Sequence, residues 1–368
     1  MVTQNYWFPR EDYLARVEKV RAQLAAQGLD ALVAFMPETV TYLTGFFTRG
    51  YTSFQFAIIP VTGDPVLFCR DVEEYYLDAT CVFPGRVMWT DSDDRNKVAA
   101  AAITRALGPK ARIGVEMQAW PLNAARFAGL QAALPEATWT DVSQLVTVMR
   151  FIKSPAEIAY QRRAAKAAEA GMAAGIAAAK EGATEREMAA DICAAMIRAG
   201  SDLPGPGVLS SGERAFHLHG GYSDRVLARG DIVQLETTPN VRHYHARFMR
   251  PMKVSVATDA DHRIVETLIK IQDEAIAAVG PGVKATVPDR IYREGVLGAG
   301  LRETYTNKTF YSVGLLLQPS GGEPLEAEPT SAWSFEPGMT FHSYVLAKGF
   351  GMSETIAITE TGIERLTN

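Results

Sequence analysis

Apolar residues recur along the first part of the chain with two different periods. Between residues 11 and 28, Leu14, Val17, Val20 and Leu24 fall three and four apart, the spacing of one helical face, and Gly28 stands where a left-handed stop is expected. DALVAFM (30–36) and ARIGVE (111–116) are short apolar runs that predict buried strands. FAIIPVTGDPVLFC (56–69) is two such runs around Thr62-Gly63-Asp64, the signature of a hairpin. LNAARFAGLQAAL (122–134) returns to the helical period. This mixture predicts an α/β domain over residues 1–148.

A second pattern begins at MRFIKSPAEI (149–158). Ser154, Pro155 and Glu157 are placed as N-cap, first-turn proline and capping-box acid of a long helix running to about Lys180. Thr184 and Glu187 repeat the box for a second helix, which Gly200 stops. Strand-like runs then dominate: 231–236, 241–256, 339–346 and 352–359, with two helices at about 259–279 and 285–297. Residues 149–368 therefore predict an α+β domain, helices against an antiparallel sheet.

Composition narrows the function classes. The 368 residues carry 37 basic and 42 acidic side chains, a net charge of -5, and no basic run, which argues against nucleic acid as a partner. Cys69, Cys81 and Cys193 have neither ligand spacing nor an even-numbered framework and read as reduced thiols. The N-terminus lacks the apolar core of a signal peptide, and the Ala-rich stretch 164–179 is broken by Lys166 and Glu169, so no membrane span is expected. A cytoplasmic location follows as the expectation.

Four of the six histidines lie between residues 217 and 245: His217, His219, His243 and His245. Glu236 sits among them on an apolar strand, where an unpartnered carboxylate is costly, so a working role is favoured. An imidazole, with its ordinary pKa of about 6.5, can take and return a proton near neutrality. Strand alternation places Thr340, His342 and Tyr344 on one face and predicts a shared face for His243, His245 and Arg247; Ser353 and Glu354 must point to opposite sides.

YLTGF (42–46), RFIKSPAEI (150–158), RGDIVQLE (229–236), FEPGMTF (335–341) and ITETGIERLT (358–367) stand in the order and spacing of the creatinase/prolidase family. The resemblance covers essentially the whole chain. It implies an α/β N-terminal domain, a "pita-bread" α+β catalytic domain, and a homodimer in which the N-terminal domain of one subunit approaches the site of the other. The metallopeptidase members hold two metal ions through Asp, Asp, His, Glu and Glu. Those positions fall here on Glu236, Arg247, Tyr311, Tyr344 and Ser353, and a further family histidine falls on Gln318. A divalent ion wants several anionic or imidazole donors, a guanidinium repels it, and a phenol of pKa near ~10 stays protonated.

The resemblance therefore points to the metal-free members, ectoine hydrolase first and creatinase second. Creatinase's acid/base histidine precedes the Asp of the Gly-Asp pair by twelve residues, which is His219 here, with His217 open as the alternative register. FYSVG (310–314), GMTFH (338–342) and RHYH (242–245) look like counterparts in ectoine hydrolase; Met249 stands where creatinase has a guanidinium-binding Glu. The expectation is a metal-independent, cofactor-free hydrolase of a non-peptide C–N bond in a small zwitterion, opening a cyclic amidine. His219 and Glu236 are the expected catalytic residues, Glu236 as nucleophile or as cation holder. Tyr51, His245, Arg247, Tyr311, His342 and Tyr344 are the expected substrate-binding residues, Tyr51 as the residue that closes the partner's pocket. The alternatives are a creatinase-type amidinohydrolase, a metal-dependent Xaa-Pro peptidase, and a non-catalytic peptide-binding pseudoenzyme.

Overall fold

The computed structural model describes residues 2–317 and 321–368. The chain divides into two compact units, Met1–Met149 and Arg150–Asn368.

The first unit is built from α1 (Arg10–Ala26), β1 (Ala31–Ala34), α2 (Pro37–Thr44), β2 (Phe56–Pro60), β3 (Val66–Arg70), α3 (Glu74–Thr80), β4 (Gly85–Trp89), α4 (Arg95–Leu107), β5 (Arg112–Val115), α5 (Ala124–Ala133) and β6 (Thr138–Asp141). Its mixed sheet runs β4-β3-β2-β1-β5-β6, with the 56–69 segment folded as the antiparallel hairpin β2–β3. Phe35, Phe54, Phe56, Phe68 and Trp89 fill one core against α4 and α5. Buried Glu116 accepts from the amides of Phe35 and Met36 and from Thr39 Oγ1, satisfying the open N-terminus of α2.

After α6 (Ser143–Phe151) the second unit continues with α7 (Pro155–Ala178), α8 (Glu185–Arg198), β7 (Leu209–Ser211), β8 (Ile232–Thr237), β9 (Asn240–Val241), β10 (Tyr244–His245), β11 (Phe248–Lys253), α9 (Asp259–Ala277), α10 (Thr286–Gly298), β12 (Phe310–Ser312), β13 (Glu326–Ala327), β14 (Thr340–Ala347), β15 (Phe350–Ile358) and β16 (Ile363–Arg365). Full capping boxes start α7 (Ser154/Glu157), α8 (Thr184/Glu187) and α9 (Thr258/Asp261). The sheet runs β13-β12-β14-β15-β11-β8-β7, with β16 on β15. Val233, Leu235, Phe248 and Met252 on one face pack under α7 and α8, and Phe341, Val345, Met352 and Ile356 under α9 and α10. Approach is close: a Cβ on Gly175 of α7 would lie 2.5 Å from Leu235 Cδ2, so a larger residue there would have to displace that side chain. The opposite face of the sheet is left for polar side chains.

One expected strand breaks. Residues 241–256 are not a single run: Arg242 and His243 hold φ of +52° and +61° and make a two-residue turn between β9 and β10. Alternation does not pass through that turn, so His243 does not share a face with Arg247 by strand parity. Among the described residues, no helix is long and apolar enough to cross a membrane.

Candidate active site

Sheet register assembles the site. Glu236 on β8 pairs with Met249 on β11, Met249 with Ser353 on β15, and Ser353 with Tyr344 on β14, giving one row of four side chains on the face away from the helices. In the adjacent row, Thr355 pairs with His342 and His342 with Tyr311. Arg247 joins it at the head of β11: its amide donates to Thr355 Oγ1 at 2.8 Å, and that hydroxyl donates back to the Arg247 carbonyl at 2.9 Å. The start of β8 is fixed by Asp231, which accepts from Arg225 Nη2 at 3.0 Å and the Ala228 amide at 2.8 Å. The Arg225 guanidinium holds the Asp231 carboxyl below the usual range.

The two rows bring Glu236, Arg247, Tyr311, His342, Tyr344 and Ser353 together. Arg247 Nη1 donates to Glu236 Oε1 at 3.0 Å, and His342 Nε2 lies 3.7 Å from the same oxygen. Arg247 is 5.4 Å over the Tyr311 ring; Tyr311 meets His342 edge-on at 4.9 Å, and His342 stacks on Tyr344 at 5.2 Å. Burial opposes charge on Arg247, yet the Glu236 carboxylate beside it raises its pKa. Burial, reinforced by Arg247, pushes the His342 imidazole well below its ordinary value, so it is neutral at pH 7. Burial raises the Tyr311 and Tyr344 phenols, keeping both as neutral donors. Both ring nitrogens of His342, Arg247 Nε and Ser353 Oγ are buried without a hydrogen-bond partner among the described residues. Unmet polar groups this deep, clustered on one carboxylate, suit a polar ligand.

A metal does not fit this donor set. One carboxylate, a guanidinium bonded to it, two protonated phenols and a hydroxyl stand at the positions that the family resemblance assigns to metal ligands. Among the described residues, no group of three or more His, Cys, Asp or Glu could hold an ion.

The other expected site residues fare differently. His219 stands exposed in the turn after the 3-10 helix Gly212–Phe216, at φ +67°, and no hydrogen bond or ion pair among the described residues joins it to Glu236. His217 is also exposed, but its carbonyl is tied to the sheet. The Gln234 amide, with its nitrogen towards the loop, donates to the carbonyls of Ala215 at 3.1 Å and His217 at 2.9 Å. His245 is half-buried, its Nδ1 2.9 Å from the His243 carbonyl; burial, then Arg247, pushes its pKa down to about 3. Tyr51 belongs to the first unit, where it packs on Phe47 and Trp120. Glu354 points to the helix side, bonded to Arg250 and Thr367. Gln318 lies outside the described residues.

Sequence reasoning did not single out Thr355, Gln234 and Asn307, whose Nδ2 donates to the Tyr344 hydroxyl at 3.3 Å. Thr355 and Gln234 share strand parity with Ser353 and Glu236, a signal the alternation carried; Asn307 lies in a loop and had none.

Comparison with known proteins is consistent along the chain. Residues 159–360 match metallopeptidase family M24, and residues 16–152 match the creatinase/prolidase N-terminal domain. An uncharacterised hydrolase/peptidase of Sinorhizobium fredii is 27% identical, over 98% of this chain and 96% of its own. The ectoine hydrolase of Halomonas elongata is 26% identical, over 100% and 98%. The crystal structure of the prolidase from Pyrococcus horikoshii superposes with a TM-score of 0.84 at 22% identity, covering 96% of this chain and 98% of that one, which is a likeness of fold.

Proposed function

The chain belongs to metallopeptidase family M24, with a creatinase/prolidase N-terminal domain, and from that premise we propose that it is a metal-independent hydrolase opening a C–N bond of a small zwitterion, with a cyclic amidine such as ectoine as the substrate. One observation carries the reading: the Arg247 guanidinium, 3.0 Å from Glu236, brings the cationic charge that the metallopeptidases obtain from metal ions. Both the Arg247 bond and the His342 approach fall on Oε1, and among the described residues no bond is made to Oε2. That oxygen can pair with an amidinium N–H or attack its carbon. Water held by the ring nitrogens of His342 adds to the amidinium carbon; Glu236 Oε2 takes its proton and returns it to the ring nitrogen as the C–N bond breaks, leaving an amide and a free amine. Tyr311 and Tyr344 donate hydrogen bonds to the tetrahedral centre. Met249, an uncharged neighbour of Glu236 in the same row, supports an amidine over a guanidino acid, which would ask for a second carboxylate. The enzyme is proposed to work as a cytoplasmic homodimer, with Tyr51 closing the partner's site.

The test is turnover of ectoine, creatine and an Xaa-Pro dipeptide, before and after chelation. Ectoine turnover should survive EDTA and fall about 100-fold or more in Glu236→Gln, the scale of a lost catalytic carboxylate. Dipeptide cleavage that manganese restores after chelation, with ectoine untouched, overturns the reading.

A further inference from the structure

A cavity of about 320 Å³ lies where the loop bearing His217 meets the tip of the β14–β15 hairpin. Three of its lining side chains are basic, His217, Arg302 and Lys348, and none is acidic, on a chain whose net charge is -5. An uncompensated gathering of this kind favours an anion.

The cavity is held open by specific contacts. Phe216 seats against the hairpin tip so closely that a Cβ on Gly349 would lie 3.3 Å from its ring. Gln234 anchors the His217 carbonyl from below. Arg302 is fixed by Asn307, whose Oδ1 accepts from its Nη1 at 2.8 Å, and its guanidinium lies 4.5 Å over the Tyr305 ring. Nη1 also donates to the Leu346 carbonyl at 3.5 Å; a guanidinium has five N–H donors, so these two bonds leave most of its capacity for a ligand. Lys348 holds φ +53° at the hairpin tip, a conformation that favours Asn or Gly, so its presence there is a local cost.

One wall of the cavity lies on β14, the strand that carries His342 and Tyr344. Leu346, in its wall, is two residues along β14 from Tyr344 and on the same face, about 7 Å away. Asn307 bridges the two places directly, holding Arg302 with Oδ1 and the Tyr344 hydroxyl with Nδ2. We propose that the cavity is an anion subsite, formed by Arg302, Lys348 and His217, that takes the carboxylate of the molecule whose C–N bond is broken at Glu236. The assignment to a substrate carboxylate rests on the function proposed above; the affinity for an anion does not.

Two measurements separate these. First, KM and kcat are compared for ectoine and for 2-methyl-1,4,5,6-tetrahydropyrimidine, the same ring without its carboxylate. Arg302→Gln should raise KM for ectoine roughly 10- to 100-fold, the range of one charge-assisted hydrogen bond, with little change for the bare ring. Lys348→Gln, at an exposed turn where folding is not at stake, should act in the same direction. Equal losses on both compounds, or no loss in either variant, overturn the subsite. Second, inorganic phosphate is titrated calorimetrically into the wild type, Glu236→Gln and the Arg302→Gln/Lys348→Gln pair. Binding kept in Glu236→Gln and lost in the pair supports the subsite even for a protein that leaves ectoine intact; in that case only the substrate reading fails. Binding equal in all three, or absent from the wild type, overturns it.

Discussion

Arg247 and His342 show how one substitution sets the chemistry of its neighbours. The Arg247 guanidinium and the Glu236 carboxylate form a buried ion pair, and removing either partner alone would leave the other unpaired. Burial, and after it the same cation, works against a proton on the imidazoles nearby: His342 is driven well below its ordinary pKa, and His245 to about 3. This has a consequence for stability with a definite sign. Both groups are depressed bases, so the unfolded chain binds protons below about 6.5 that the folded chain refuses. Stability is therefore full above pH 6.5 and is lost as pH falls towards 3. Urea denaturation at intervals between pH 7.5 and 4 should show this fall, and His342→Asn should flatten it by up to one proton's worth of slope. An unchanged slope in the variant would mean that His342 is protonated in the native protein.

Elements place these residues, and the hairpin β14–β15 does so under local strain. Its tip, Lys348-Gly349, holds φ of +53° and +85°, the two-residue turn whose first position Asn prefers. Lys348→Asn should therefore stabilise the fold, by up to about 1 kcal/mol, while weakening phosphate binding. A melting temperature that rises together with unchanged phosphate affinity would detach the strain from the subsite. The same physics explains what could be read from the chain. The capping boxes of Ser154 and Thr184, the hairpin at Thr62-Gly63-Asp64, and the opposed faces of Ser353 and Glu354 follow from local rules that tertiary packing leaves intact. Arg242-His243 carries neither Gly nor Asn, so its left-handed turn gave no signal and 241–256 read as one strand. PETVTYLT has the composition of a strand yet forms α2, between Pro37 at its start and left-handed Gly45 at its end. The loop around His219 has no periodicity at all, which is why counting along the chain chose a histidine that the turn leaves exposed.

For the whole molecule the question is whether each site is completed by the chain that bears it. The proposed homodimer gives Glu236 from one subunit and Tyr51 from the other, and this can be tested without an image of the assembly. Tyr51→Ala and Glu236→Gln should each be nearly inactive as pure proteins. After equimolar mixing and subunit exchange, half of the dimers pair one variant with the other. Each such dimer owns one site with both native residues, supplied by different chains, and one site with neither. Activity should then rise to about a quarter of the wild-type value, the statistical share of intact sites in a two-fold assembly. Were Tyr51 to serve its own chain's site, every site would carry one lesion however the subunits paired, and mixing would restore nothing. A fully active Tyr51→Ala protein would remove that residue from the site altogether, while the rows of Glu236 and Arg247 would stand as they are.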